Sequence, residues 1–257
     1  MADLAAQATV LRSLHRPGEP LLLANVWDVA SAKMIEELGY SAVATSSSAV
    51  AHTFGELDTD VMPLEVAFGV VERVAKAVSL PVTADLESGY QLPADEFVRR
   101  VLAAGAVGFN LEDSDHHGSG VLVDLEKQTE RIAAVRAAGR SAGVDVVINA
   151  RVDVYVRHVG DADQQLKEGV RRGRAYLAAG ADCVYPIMIA DEHAIGAFVD
   201  GIGGAVNVNM RAGTPPLDVL RRLNVARVSL GGGLFRIAMT AAKQAAEALR
   251  AGTLFAS

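Results

Sequence analysis

Residues 81–90 read PVTADLESGY. A proline opens a short run of β-favouring and apolar residues, and the run ends on Asp85. Glu87 follows two positions later, and Ser-Gly-Tyr turns the chain away. Working outward, the same grammar recurs: a short apolar run, a polar residue closing it, then a longer helical pattern. Strands are expected at 21–25, 42–45, 82–85, 108–112, 146–151, 182–185, 205–209 and 226–229. Helices are expected near 29–38, 63–78, 93–104, 124–141, 162–179, 191–199, 215–222 and 234–250. Eight strand–helix units in 257 residues point to an α/β fold, one (β/α)8 TIM barrel with 1–257 as a single domain. An open doubly wound sheet is the alternative, but eight evenly spaced units favour closure.

Local signals agree with this division. Gly39, Gly105 and Gly180 follow their helical runs, where a left-handed residue ends a helix. Pro63 and Pro215 fall where a first turn tolerates a missing N–H. The strands look apolar on both faces, as a parallel sheet inside a ring of helices requires. Two stretches stand outside the units. Residues 1–17 suit an extra helix across the barrel bottom, and 46–62 read as a long loop at the end of a barrel that carries function.

Composition narrows the partners. The chain is 51% hydrophobic and 21% charged, with 24 basic against 31 acidic residues and a net charge of −7. No basic run can follow a nucleic-acid backbone, so nucleic acid is not expected. A small anion remains compatible, because a metal and local arginines reverse the sign of one pocket. Cys183 is the only cysteine, which excludes an intramolecular disulfide and a cysteine metal cluster. The first residues lack the apolar core of a signal peptide, and no run of about 18 apolar residues suits a membrane span. A soluble, cytoplasmic protein with no membrane partner is expected.

Barrel chemistry sits at the C-terminal strand ends, so the polar residue closing each run is the informative one. Strand three closes on Asp85 with Glu87 beyond it. VGFNLED closes on Glu112 and Asp113, VVINARVD on Arg151 and Asp153, and VNVNMR on Asn207, Asn209 and Arg211. Adjacent strands lie about 4.8 Å apart, which brings Asp85 and Glu112 into one small volume. Carboxylates that close repel unless they share a cation or proton, and a hard divalent ion such as Mg²⁺ answers that need. The competing reading has these acids capping helices or pairing with Arg151 or Arg211.

The blocks ANVWDVASAKMIEELGYSAVATSSSAVA, LPVTADLESGY, GFNLED and NARVD, in that order over roughly residues 20–240, resemble the isocitrate lyase/phosphoenolpyruvate mutase superfamily. The resemblance implies a barrel with a swapped C-terminal helix, a homotetramer or homodimer, Mg²⁺ (or Mn²⁺), and a small 2-oxo or 2-hydroxy carboxylate substrate. By the same resemblance Asp85 matches the direct metal ligand, while Glu87 and Glu112 match acids that bind the metal through water. Asp58, in GELDTD, matches an acid on a gating loop. Ser46 and Ser47 match the turn holding a substrate carboxylate, Arg151 the arginine facing it, and Asn209 a polar residue closing the pocket.

The chain also departs from that pattern. The lyases of isocitrate and methylisocitrate carry a Lys-Lys/Arg-Cys-Gly-His segment shortly after the block ending in Glu-Asp. Here that stretch reads EDSDHHGSGVLVDLEKQ, a shortened loop with no cysteine and no lysine before Lys127. The phosphoenolpyruvate mutase signature, Glu-Asp-Lys leading to Pro-Lys, is missing as well, and Ile187 stands near a position that is usually Glu or His. Losing a general acid costs about 10²–10⁴ in rate, so isocitrate cleavage is not expected. His116 or His117 either replaces the missing acid or is a solvated loop residue, and His52 is open in the same way. Cys183 reads as an inert buried thiol. Gly231–Gly233 either hold phosphate on backbone N–H groups or allow tight packing.

The functional expectation is an Mg²⁺-dependent carbon–carbon lyase working through an enolate, with oxaloacetate decarboxylation as the simplest case. A phosphonomutase or phosphonopyruvate hydrolase is the alternative enzyme. A non-catalytic metabolite-binding barrel is the alternative outside enzymology.

Overall fold

The structure is a computed structural model that describes residues 3–118 and 120–255. A helix, α1 (Leu4–Ser13), precedes the barrel. The strands are β1 (Leu21–Leu23), β2 (Asn25–Val26), β3 (Val43–Thr45), β4 (Val82–Asp85), β5 (Gly108–Glu112), β6 (Val147–Val152), β7 (Cys183–Pro186), β8 (Asn207–Asn209) and β9 (Arg227–Ser229). The helices between and after them are α2 (Val29–Glu37), α3 (Ser47–Phe54), α4 (Leu64–Ala77), α5 (Ala94–Ala103), α6 (Leu125–Ser141), α7 (Ala162–Ala178), α8 (Glu192–Ile202), α9 (Leu217–Arg222) and α10 (Gly233–Arg250). No helix among the described residues is long and apolar enough to cross a membrane.

All strand pairs are parallel. One sheet runs β2-β3-β4-β5-β6-β7 and the other β1-β9-β8. Ala24 alone separates β1 from β2, and a parallel bridge from Val184 to Val206 links β7 to the β8 edge. The two sheets therefore close one ring of eight strand positions, the expected (β/α)8 barrel. Gly39, Gly105 and Gly180 take φ of 80°, 85° and 108°, the left-handed exits the sequence calls for.

Three features depart from the sequence reading. Residues 46–62 are not simply a loop, because Ser46 caps α3 by accepting from the Ala49 N–H at 3.3 Å. The Ser-Ser-Ala-Val-Ala run that follows then has a start signal and a buried face. Pro63 and Pro216 occupy N-cap positions, one residue before the first turn. The strands are not apolar on both faces either. Thr83, Asn110, Asn149, Asn207, Arg227 and Ser229 are all buried, and Arg227 on β9 reaches Asn110 on the non-adjacent β5. That bond spans the barrel interior, so the apolar core lies mainly between strands and helices and the axis is polar.

α1 covers the barrel bottom, as expected of the N-terminal stretch. Leu11 is fully buried, and Arg12 binds Asp182 at 2.7 Å and the Asp145 carbonyl oxygen at 2.7 Å. Gly108 at the start of β5 permits this closure. A Cβ there would lie 2.7 Å from Leu11 Cδ2 and 3.0 Å from the Val147 carbonyl oxygen. Gly108→Val should therefore destabilise the fold by roughly 1–3 kcal/mol or more through overpacking. Urea denaturation checks this, and an unchanged midpoint would mean α1 does not seat on the barrel as described.

Candidate active site

At the C-terminal ends of the strands lies a cavity of about 670 Å³. Its lining includes Ser48, Asp58, Glu87, Glu112, His116, Arg151, Asn209, Arg211 and Arg236. Asp85 ends β4 beside it. One oxygen of its carboxylate accepts from the Ser47 backbone N–H at 3.0 Å and the Ser47 hydroxyl at 2.9 Å. The other accepts from Asn110 Nδ2 at 2.8 Å, while the Asp85 N–H donates to Thr45 Oγ1 at 2.9 Å. Every side-chain contact is a donor, so the group is built to remain an acceptor.

Glu87 is buried, with a left-handed φ of 51°. Its carboxylate accepts from the Asp60 backbone N–H and, at 3.3 Å, from the Tyr90 hydroxyl. Burial, and then the charge of Asp58, push the Glu87 carboxyl up to about 8. The Asp58 carboxyl is also pushed up, by burial and then by Asp85. Asp60, two residues on, carries the tighter bonding. It accepts from Ser88 Oγ at 2.7 Å, the Tyr90 N–H at 3.1 Å and His117 Nε2 at 2.8 Å. Nothing in GELDTD singles out Asp60 from Asp58, and only its hydrogen bonds do so.

Glu112 closes β5 in full burial, and burial drives its carboxyl upward against the pull of Arg151. Arg151 binds Asp153 in a fork, Nε to one oxygen at 2.6 Å and Nη2 to the other at 2.8 Å, and its Nη1 touches Glu112. Its Nε–H and one Nη2–H are thus hydrogen-bonded and its Nη1 is ion-paired inside the protein, which leaves N–H groups for a ligand. Behind it, Asp113 accepts from the Asp153 N–H at 2.8 Å, Tyr176 Oη at 2.6 Å and Arg172 Nη1 at 3.0 Å. The structure thus realises the ion pairing weighed for Arg151 and still leaves it lining the cavity. Neither loop histidine is merely solvated. His116 Nε2 sits 2.6 Å from Glu112 Oε1, which raises its pKa, and His117 holds Asp60.

The serines divide their roles differently from the resemblance. Ser46 caps α3, Ser47 is bonded to Asp85, and Ser48 is the one that lines the cavity. Asn209 is buried at the wall, its Nδ2 3.4 Å from the Ser229 carbonyl oxygen. Cys183 is fully buried in β7 away from the lining, and burial lifts its thiol to about 12. The Leu230 and Gly231 N–H groups are satisfied by Asn25 Oδ1, each at 2.9 Å. Arg227 and Asn110 went unassigned from sequence. An arginine inside a short buried strand was the available signal.

Among the described residues, no three His, Cys, Asp or Glu side chains converge as a ready-made metal cluster. The donor set nonetheless fits a hard cation. Asp58, Asp85, Glu87 and Glu112 offer only oxygen, and repulsion and burial raise three of them. Mg²⁺ or Mn²⁺ would relieve that repulsion, with Asp85, Asp58, Glu87 and Glu112 as the residues that would hold it.

A family model described as phosphoenolpyruvate phosphomutase matches residues 11–250. The crystal structure of a candidate phosphonomutase from Burkholderia cenocepacia J2315 is similar at a TM-score of 0.87 and 38% identity, covering 97% of this chain and 99% of that one. The 2-methylisocitrate lyase of Escherichia coli (strain K12) is 28% identical over 262 residues, 93% of this chain and 86% of its own. A phosphonopyruvate hydrolase in complex with oxalate and Mg²⁺ is similar at a TM-score of 0.83 and 26% identity, covering 97% of this chain and 89% of that one.

The raised Glu87 carboxyl makes metal-free stability pH-dependent. Between the ordinary 4.5 and about 8, the folded chain keeps a proton that the unfolded chain has released. Stability therefore falls as pH rises through that window. Thermal midpoints in EDTA at about pH 5.5 and about pH 8.5 should drop further for the wild type than for Glu87→Gln. Equal drops would show that Glu87 is not held protonated.

Proposed function

The chain belongs to the isocitrate lyase/phosphoenolpyruvate mutase superfamily, and we propose that it is an Mg²⁺-dependent lyase of a small 2-oxo or 2-hydroxy dicarboxylate. The observation that carries the reading is the cavity lining: Asp58, Glu87 and Glu112 face Arg151 across one space beside Asp85, with neither cysteine nor lysine among them.

Asp85 would hold the metal directly, Glu87 and Glu112 would hold it through water, and Asp58 would approach it from the loop. When bound there, the metal supplies the Lewis acidity that stabilises an enolate. The Arg151 N–H groups not bonded to Asp153 orient a substrate carboxylate, and Asn209 closes the wall behind it. Buried donors that need no rearrangement as charge develops are the main source of rate. In oxaloacetate decarboxylation the bond to the departing carboxylate breaks, its electron pair passes into the enolate, and CO₂ leaves. Only afterwards does carbon take a proton, from solvent or from the His116–Glu112 pair at the wall. No cysteine acid is required, which is why this reaction suits the chain better than isocitrate cleavage.

A phosphonomutase or phosphonopyruvate hydrolase is the second reading, supported by the similarity to the Burkholderia candidate phosphonomutase. It uses the same enolate; phosphate release from phosphonopyruvate distinguishes the hydrolase, and conversion of phosphonopyruvate to phosphoenolpyruvate the mutase. We also propose a cytoplasmic homotetramer or homodimer with a swapped α10. Phe235 anchors that helix against Trp27 with ring centroids 5.2 Å apart, yet none of its residues is buried. Ile237, Met239 and Leu249 are 65%, 53% and 67% exposed.

Oxaloacetate should turn over at least about a hundredfold faster than isocitrate or methylisocitrate. Oxalate should compete with it, and EDTA should stop the reaction until Mg²⁺ or Mn²⁺ returns. Asp85→Ala should lose both Mg²⁺ binding and activity while still unfolding cooperatively. A panel of these acids, with pyruvate, succinate and phosphate assayed, checks the reading. Isocitrate as the best substrate would sink it, and oxalate binding without any turnover would favour the non-catalytic barrel.

Assembly is tested separately. Light scattering at micromolar protein should report a dimer or tetramer, and Ile237→Glu with Met239→Glu should shift it toward monomer. A monomeric wild type would rule out the swap.

A further inference from the structure

We propose that Arg227, buried in the barrel interior, is a positioning residue that fixes Asp85 as an all-acceptor ligand through Asn110. The inference rests on the reading of Asp85 as the metal ligand. Arg227 is 1% exposed, and among the described residues no carboxylate pairs with it. Its Nε and Nη1 have no partner, and its Nη2 points at Asn110 Oδ1 at 3.4 Å. A bare guanidinium in the interior is costly, so its retention calls for a role beyond filling space.

The role follows from what a guanidinium cannot do. It has five donors and no acceptor, so only the oxygen end of Asn110 can face it. Asn149 then presents its own Nδ2 to the same oxygen, at 2.7 Å. With Oδ1 held by two donors, the Asn110 Nδ2 has one direction left, toward Asp85 Oδ1 at 2.8 Å. A flipped Asn110 would set its NH₂ against the guanidinium and the Asn149 amide, and would leave Asp85 facing an oxygen. From the other side the Ser47 backbone N–H, which also cannot reverse, holds Asp85 Oδ2 at 3.0 Å. The Asp85 carboxylate is thus gripped between two irreversible donors, one direct and one relayed from β9 across the barrel. With Oδ2 filled by the Ser47 N–H and hydroxyl, the lone pair left on Oδ1 beside Asn110 is the one a cation can use. Partners of this kind behind a metal ligand typically change metal affinity about 10- to 100-fold when removed.

The test is Mg²⁺ calorimetry on the full chain in its native assembly, with thermal midpoints in parallel. Arg227→Met and Asn110→Leu should each weaken Mg²⁺ by about tenfold or more, whereas Arg227→Lys, still a donor-only cation, should stay close to wild type. Rescue by lysine separates the lock from simple packing. Should Arg227→Met fail to fold, Asn110→Leu breaks the same link while keeping the Arg227 side chain in place. Mg²⁺ affinity unchanged or tighter in Asn110→Leu, or in a folded Arg227→Met, would overturn the lock. Unchanged Mg²⁺ affinity in Asp85→Ala would overturn both the lock and the metal site. Loss there with none in Asn110→Leu overturns the lock alone.

Discussion

Like charge crowded at one end of a closed parallel barrel is the constraint on which the rest of this structure depends. Strands about 4.8 Å apart bring the acids of β4, β5 and β6 together whether or not a ligand is present. The protein sorts them into two groups. Asp113 and Asp153 are paired behind the cavity, the first with Arg172 and the Tyr176 hydroxyl and the second with the fork of Arg151. Asp58, Glu87 and Glu112 are left toward the cavity, and burial first, with neighbouring acids second, raises their carboxyls. The paired acids act as scaffolding: Asp113 fixes the backbone of Asp153, which in turn aims Arg151. Removing either would misplace a guanidinium rather than merely delete a charge.

The cavity rim stores strain as well as charge. Asp60, Glu87 and Tyr90 take φ of 60°, 51° and 54°, each a left-handed conformation that side-chain-bearing residues seldom adopt. Such residues cost on the order of 1–3 kcal/mol apiece and persist only when their surroundings over-determine them. Here they hold one another. The Asp60 N–H binds Glu87, while the Asp60 carboxylate collects Ser88, Tyr90 and His117. The loop carrying Asp58 is therefore tied at Asp60 to the chain after β4 and to the loop after β5. Any opening of that loop breaks these bonds and releases the strain together, which favours two discrete positions over gradual motion.

Much of this was legible in the sequence, unevenly and for physical reasons. The strand cores at 82–85 and 108–112 coincide with the observed strands, because a buried parallel strand bounded by turn residues has an unambiguous signature. The closing acids Asp85, Glu87 and Glu112 followed from position alone. α3 stayed hidden because its start is signalled only by a serine cap within a run of small residues, which reads equally as loop. The polar axis stayed hidden because a strand's two faces look alike when both are buried. Asn110 and Arg227 become meaningful only through a bond between residues 117 positions apart. The serines show the limit of carrying roles over by position. Three consecutive residues do three different jobs, and only hydrogen bonds to Ala49 and Asp85 separate them.

Net charge on its own argues against an anionic substrate, since the chain carries −7. The cavity has a different balance. Its lining holds four arginines, Arg151, Arg157, Arg211 and Arg236, against three acids, Asp58, Glu87 and Glu112. The acids gather toward β4 and β5, while Arg157, Arg211 and Arg236 follow β6, β8 and β9. A low-dielectric cleft focuses such a local field, so the surface as a whole can repel anions while the mouth admits them. The same division sets orientation. An acid placed against the arginines leaves its oxygen-bearing end toward Asp85, where a cation would add further positive charge. The electrostatics of binding and the geometry of the acid cluster therefore impose one direction on a bound substrate, and neither requires the loop cysteine that this chain lacks.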